Sequence, residues 1–141
     1  LNGCHPYGEA LFNRCVYGVF DPVGYGADGK YGNEWDMTIW ISDRGIESGR
    51  LKDILIHEAA HAYSYLVLRG CVVPDGSSFR ELAHKRYGDE EYLADIFVLY
   101  YGGKWTNYDG RENIPIRDRS WMSNMIDYCN LYEEALATLS S

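Results

Sequence analysis

The side chains best suited to chemistry in this sequence stand in one short run, His57-Glu58-Ala59-Ala60-His61. Histidines four residues apart on a helix lie one above the other on the same face, so both imidazoles can reach a single ion. The glutamate between them stands beside that ion, where it can take a proton from a water held there. The pattern is one for metal-assisted hydrolysis, and one zinc ion is the expected cofactor.

The surroundings favour this reading. Ile54-Leu55-Ile56 precedes the first histidine, and Ala59, Ala60, Ala62, Tyr63, Leu66, Val67 and Leu68 fill the rest of the stretch. A helix apolar on nearly all sides is a buried one. His57, Glu58 and His61 are then polar groups on a mostly buried element, and a metal would supply the partners they need.

Catalytic zinc usually keeps three protein ligands and one open position. A third ligand just downstream would require HExxHxxGxxH or HExxHxxGxxD, but Ser64 and Val67 stand at the glycine and final ligand positions. The better candidate is Glu91 in Glu91-Tyr92-Leu93-Ala94-Asp95, with Glu90 as a register-shifted rival and His84 as a weaker one. Glu91 and Asp95 are one helical turn apart. The run from Tyr92 to Tyr101 is otherwise uncharged, so Asp95 is expected to be buried and paired. A metal-bound imidazole commonly donates its other N–H to a carboxylate, which makes His57 the natural partner of Asp95.

With these two motifs the sequence resembles the gluzincins, the thermolysin-like zinc peptidases, whose signature is HExxH followed on a second helix by ExxxD. The resemblance covers roughly residues 35 to 101, and the chain is similar in size to the minigluzincins. It implies His57, His61 and Glu91 on the zinc, Glu58 as general base and Asp95 as the carboxylate behind a ligand. It also implies a small zincin-like α+β fold, with an N-terminal β-sheet, a C-terminal helical half and the active-site helix at the centre. The implied activity is hydrolysis of peptide bonds, the substrate being a peptide or protein. Another zinc-dependent amide hydrolase, such as a cell-wall amidase, and a secreted non-catalytic binding domain on the same scaffold are the alternatives.

The elements that must position these residues can be read in outline. Residues 1–48 look β-rich, with strand-forming runs at Leu11–Phe20 and Trp35–Ser42 and a Gly- and Pro-containing connection over Asp21–Asn33. The second run is an edge to which an extended substrate could add. Residues 49–141 look helical. Ser48 is expected to cap a helix from Gly49 to Arg69 that Gly70 stops. Ser78-Phe79-Arg80-Glu81 has the form of a capping box for a short helix ending at Gly88. Asp89 should cap a helix through Tyr101, and Ser120 one reaching about Leu139, whose Met122, Met125, Ile126 and Tyr128 are expected to cover the core, a docking face being the alternative.

At 141 residues the chain suits a single domain. Its net charge of −8, with 13 scattered Lys and Arg, argues against nucleic acid or an anionic membrane as partner. No apolar run approaches the length of a membrane span, and a monomer is expected. Cys4, Cys15, Cys71 and Cys129 form no CxxC pair, which disfavours a finger-type zinc site. The even count, the start at Leu1 and the wealth of Tyr and Gly suggest a secreted, oxidised protein. Of three possible connectivities, Cys4–Cys15 and Cys71–Cys129 are favoured, the second tying the end of the motif helix to the last helix.

Overall fold

A computed structural model describes residues 15–24, 30, 32, 36–106, 108 and 110–140. The described residues form five α-helices, one 3-10 turn and a two-stranded antiparallel sheet, a mixed and mostly helical α+β arrangement. The chain divides into two compact units, residues 1–62 and 63–141.

In the first unit, β1 (Gly18–Asp21) pairs with β2 (Thr38–Ile41), Gly18 opposite Ile41 and Asp21 opposite Thr38. Both strands are shorter than the sequence suggests. Cys15–Tyr17 lies outside the ladder, and Leu11–Arg14 and Trp35 lie outside the described residues. At the end of β1, the buried Asp21 turns the chain by accepting the N–H groups of Val23 (3.1 Å) and Gly24 (2.8 Å) through Oδ1.

A short helix that the sequence did not announce, α1 (Asp43–Glu47), follows β2 directly. Ser42 caps it by accepting the N–H of Gly45 at 3.1 Å, and the Ser42 hydroxyl donates to the Tyr17 carbonyl at 3.2 Å. Gly45 has no alternative there: a Cβ would come within 2.3 Å of the Tyr17 carbonyl oxygen. Ser48 closes this helix rather than opening the next. Its hydroxyl donates to the Gly45 carbonyl at 2.6 Å and accepts the Arg50 N–H at 3.1 Å. The motif helix α2 therefore begins at Leu51 and runs to Leu66, and its last four residues belong to the second unit.

In the second unit, a 3-10 turn (Leu68–Gly70) ends the α2 segment, later than the α-helix proper but at the glycine the sequence marked. Helix α3 (Phe79–Tyr87) starts where Ser78 accepts the Glu81 N–H at 3.1 Å and stops at Gly88, whose φ is 115°. Helix α4 (Glu90–Tyr100) starts where Asp89 accepts the N–H groups of Glu91 (2.9 Å) and Tyr92 (3.1 Å). Helix α5 (Ile116–Ser140) begins four residues before Ser120. Pro115, whose carbonyl accepts the Arg119 N–H at 3.0 Å, marks its true start. Asp118 in its first turn takes the Arg86 guanidinium, at 2.6 Å from Nη2. The core of this unit is Leu68, Leu93, Ile96, Val98, Met122 and Met125, each no more than 1% exposed. Within it the disulfide Cys71–Cys129 joins the segment after α2 to α5, as the sequence favoured. The other favoured pairing involves Cys4, which lies outside the described residues.

Candidate metal centre

Helix α2 brings His57, Glu58 and His61 together in the first unit. The Nε2 atoms of the two histidines lie 3.1 Å apart, and the rings meet edge to face with centroids 4.8 Å apart. Two Zn–N bonds of about 2.0–2.1 Å span that separation when they open at roughly 100°, close to tetrahedral. One ligand atom from each of the two histidines and from Glu58 falls within 4.8 Å of the others. His57 and Glu58 are buried, at 5% and 6% exposure, and His61 is half-buried. Donor type, spacing and burial all fit a divalent ion, so this group could hold one.

The wall behind Glu58 comes from β1. A Cβ on Gly18 would stand 3.1 Å from Glu58 Cγ, 2.9 Å from Ile54 Cγ2 and 3.0 Å from Ile41 Cδ1. The missing side chain lets the strand lie against α2 and leaves room for the glutamate stem. A lone glycine in a strand-forming run was the available sequence signal for such a close approach.

The other sequence candidates stand on α3 and α4 in the second unit. Glu90 sits in a polar cluster there. Its Oε1 accepts from the Ser64 hydroxyl, from Arg80 Nε at 3.1 Å and from His84 Nε2 at 2.8 Å. Arg80 Nε also donates to Ser64 Oγ at 3.1 Å, and Ser64 is 1% exposed. The rival ligands Glu90 and His84 are thus bonded to each other. The role of Ser64 could not have been read from its position alone, because its partners come from two other helices.

Asp95 is fully buried, as its uncharged neighbours suggested. Its Oδ2 accepts the backbone N–H of Tyr108 at 2.6 Å, which fastens the segment before α5 to α4. Glu91 occupies the first turn of α4 beside the Asp89 cap, one turn before Asp95. Near the end of α2, Tyr63 donates its hydroxyl to Asn130 Oδ1 at 2.9 Å. Burial, then Tyr101, Glu133 and Asp127 nearby, push its pKa up to about 12.

Among the described residues no helix is long and apolar enough to cross a membrane. Comparison of the chain with known protein families, characterised proteins and solved structures finds no match.

Proposed function

We propose that this protein is a zinc-dependent peptidase working through Glu58. The observation that carries the reading is the convergence of His57 Nε2 and His61 Nε2, 3.1 Å apart, with the buried Glu58 carboxylate on the same helix. His57 and His61 would hold the ion. The ExxxD pattern of the sequence adds Glu91 as third ligand and Asp95 as the carboxylate that orients a ligand imidazole. Bound zinc supplies a Lewis acid that polarises a carbonyl oxygen and makes water a stronger acid.

The chain's own residues would do the rest. The Glu58 carboxylate takes the proton of the attacking water and returns it to the leaving amine nitrogen. Gly18 leaves room beside the stem of Glu58, where an added Cβ would stand 3.1 Å from Glu58 Cγ. The exposed Ile39 on β2 offers an extended peptide a strand to lie against. A buried disulfide suits a protein that acts in an oxidising compartment, outside the cytosol.

The test is metal content by mass spectrometry beside a peptidase assay on a fluorogenic peptide library. Wild type and Glu58→Gln should each carry about one zinc per chain, with activity in the variant falling about 10²–10⁴-fold. His57→Ala should lose the metal. Wild type that takes up no zinc after dialysis against it sinks the reading.

A further inference from the structure

Strand β2 is an edge: among the described residues it pairs with β1 alone. In an antiparallel ladder, residues whose N–H and C=O meet the partner strand alternate with residues whose groups point outward. The Ser42 N–H donates to the Tyr17 carbonyl at 3.0 Å, which extends the register one pair beyond Gly18–Ile41 and makes this a hydrogen-bonded pair. Counting from there, Trp40 meets Val19 in the next hydrogen-bonded pair. Ile41 and Ile39 fall in the pairs between, so their N–H and C=O groups turn to the open edge.

The same register fixes the side chains. A Cβ on Gly18 would meet Ile54 and Glu58 of α2 together with Ile41 Cδ1, so the Gly18–Ile41 pair faces α2. Side chains alternate along a strand, so the Phe20–Ile39 pair faces the same way, and Val19 and Trp40 the other. Phe20 on β1 is 8% exposed, whereas Ile39 on the edge strand is 37% exposed. Directly opposed residues share a face of a sheet. A peptide residue opposite Ile39 would therefore lay its side chain beside Ile39, on the Glu58 side.

We propose that Ile39 determines specificity, selecting extended peptides with an apolar side chain at the position opposite it; the inference rests on the peptidase reading above. The outward N–H and C=O groups identify the occupant as extended backbone, because a helix has already paired its own. Strand β2 carries no charged side chain. A charged peptide residue opposite Ile39 would lose water without gaining a partner, whereas an aliphatic or aromatic one forms a cross-strand pair. In antiparallel addition, the peptide residue opposite Ile41 stands level with Gly18 and the stem of Glu58. The residue opposite Ile39 follows it by two toward the peptide C-terminus, so the preference is confined to one position.

The test compares zinc-loaded protein with its Ile39→Lys variant on two sets of short alanine peptides, carrying Val or Asp at each position in turn. Wild type should favour Val over Asp about tenfold in kcat/KM at one position. Ile39→Lys should lose or invert that preference there alone. Lysine suits a sheet edge, and unchanged zinc content and circular dichroism report folding. Should it not fold, Ile39→Thr keeps a β-branched residue and should weaken the same preference. Binding is read apart from turnover by fluorescence anisotropy of the labelled Val and Asp peptides on Glu58→Gln protein, with and without Ile39→Lys. The same shift should appear there in Kd. Cleavage with a preference that neither substitution moves overturns this inference and leaves the peptidase reading standing. So does peptide binding that weakens as protein concentration rises, which would give the edge to a second copy. Zinc-loaded protein that cleaves no peptide overturns the peptidase reading, and this inference with it.

Discussion

Gly18 and Glu58 are so close that one methyl group on the glycine would stand 3.1 Å from the glutamate Cγ. Strand β1 and helix α2 meet at this point through backbone on one side and a carboxylate stem on the other. The geometry of the proposed general base therefore depends on a residue that carries no functional group.

Gly18→Ala should accordingly separate stability from activity. Overpacking against Ile54 and Ile41 costs about 1–3 kcal/mol, read as a lower midpoint in urea unfolding. Activity under conditions where the variant is fully folded should fall about tenfold or more, because misplacing a catalytic group slightly is expensive. Zinc content should stay near that of wild type, since both histidine rings lie on the same rigid helix. Full activity in a folded Gly18→Ala protein would show that Glu58 does not need this wall.

Glu90 and Glu91 are adjacent in sequence and should respond oppositely to substitution. Glu90→Gln removes the charge that Arg80 and His84 face and should cost about 1–3 kcal/mol while leaving zinc bound. Glu91→Ala should leave the fold intact and release the metal. Elemental analysis of the two purified variants decides between them, and loss of zinc in Glu90→Gln instead would move the third ligand by one residue.

Tyr63 should make the protein sensitive to alkali. Its folded pKa of about 12 lies above the ordinary tyrosine value, because burial and neighbouring negative groups disfavour the phenolate. Between about pH 10 and pH 12 the unfolded chain releases this proton while the folded chain retains it, so stability falls as pH rises through the window. Burial raises Tyr101 and Tyr87 in the same direction. Tyr63→Phe should flatten the alkaline limb of a stability–pH curve and remove one late-titrating tyrosine from the absorbance titration. An unchanged limb would mean that the Tyr63 hydroxyl is open to water.

The Cys71–Cys129 bridge closes a loop over a sequence separation of 58 residues. On the chain-entropy account such a closure contributes about 4 kcal/mol. Cys71→Ala with Cys129→Ala should lower stability by about 2–5 kcal/mol in denaturant unfolding. A loss below about 1 kcal/mol would place the stability of the second unit in its apolar core instead.

Features set by local chemistry were legible from the residues. The caps at Ser78 and Asp89 and the stop at Gly88 lie within one turn of the helix ends they define, and α3 and α4 fall where those residues put them. The His57–His61 geometry follows from helical spacing alone. Features set by partners distant in sequence were not legible. Strand β2 extends only over Thr38–Ile41, the stretch that has β1 to pair with. Helix α1 is too short to show a periodicity, and it exists because Ser42 and Gly45 fit against Tyr17. Ser120 has the right chemistry for a cap, but Pro115 and the Arg86–Asp118 ion pair start α5 earlier. The Ser64–Glu90 cluster draws on three helices, and no spacing rule joins them.

The bridge from Cys71 to Cys129 also changes what a cut in this chain can do. It encloses α3, α4, the segment before α5 and the first half of α5, so a backbone break anywhere from Val72 to Tyr128 leaves both pieces covalently joined. A protein proposed to hydrolyse peptide bonds is exposed to attack by its own kind. Nicked in that span, it would migrate as one species until reduced, and the pieces would stay together while the helices around the break remain packed.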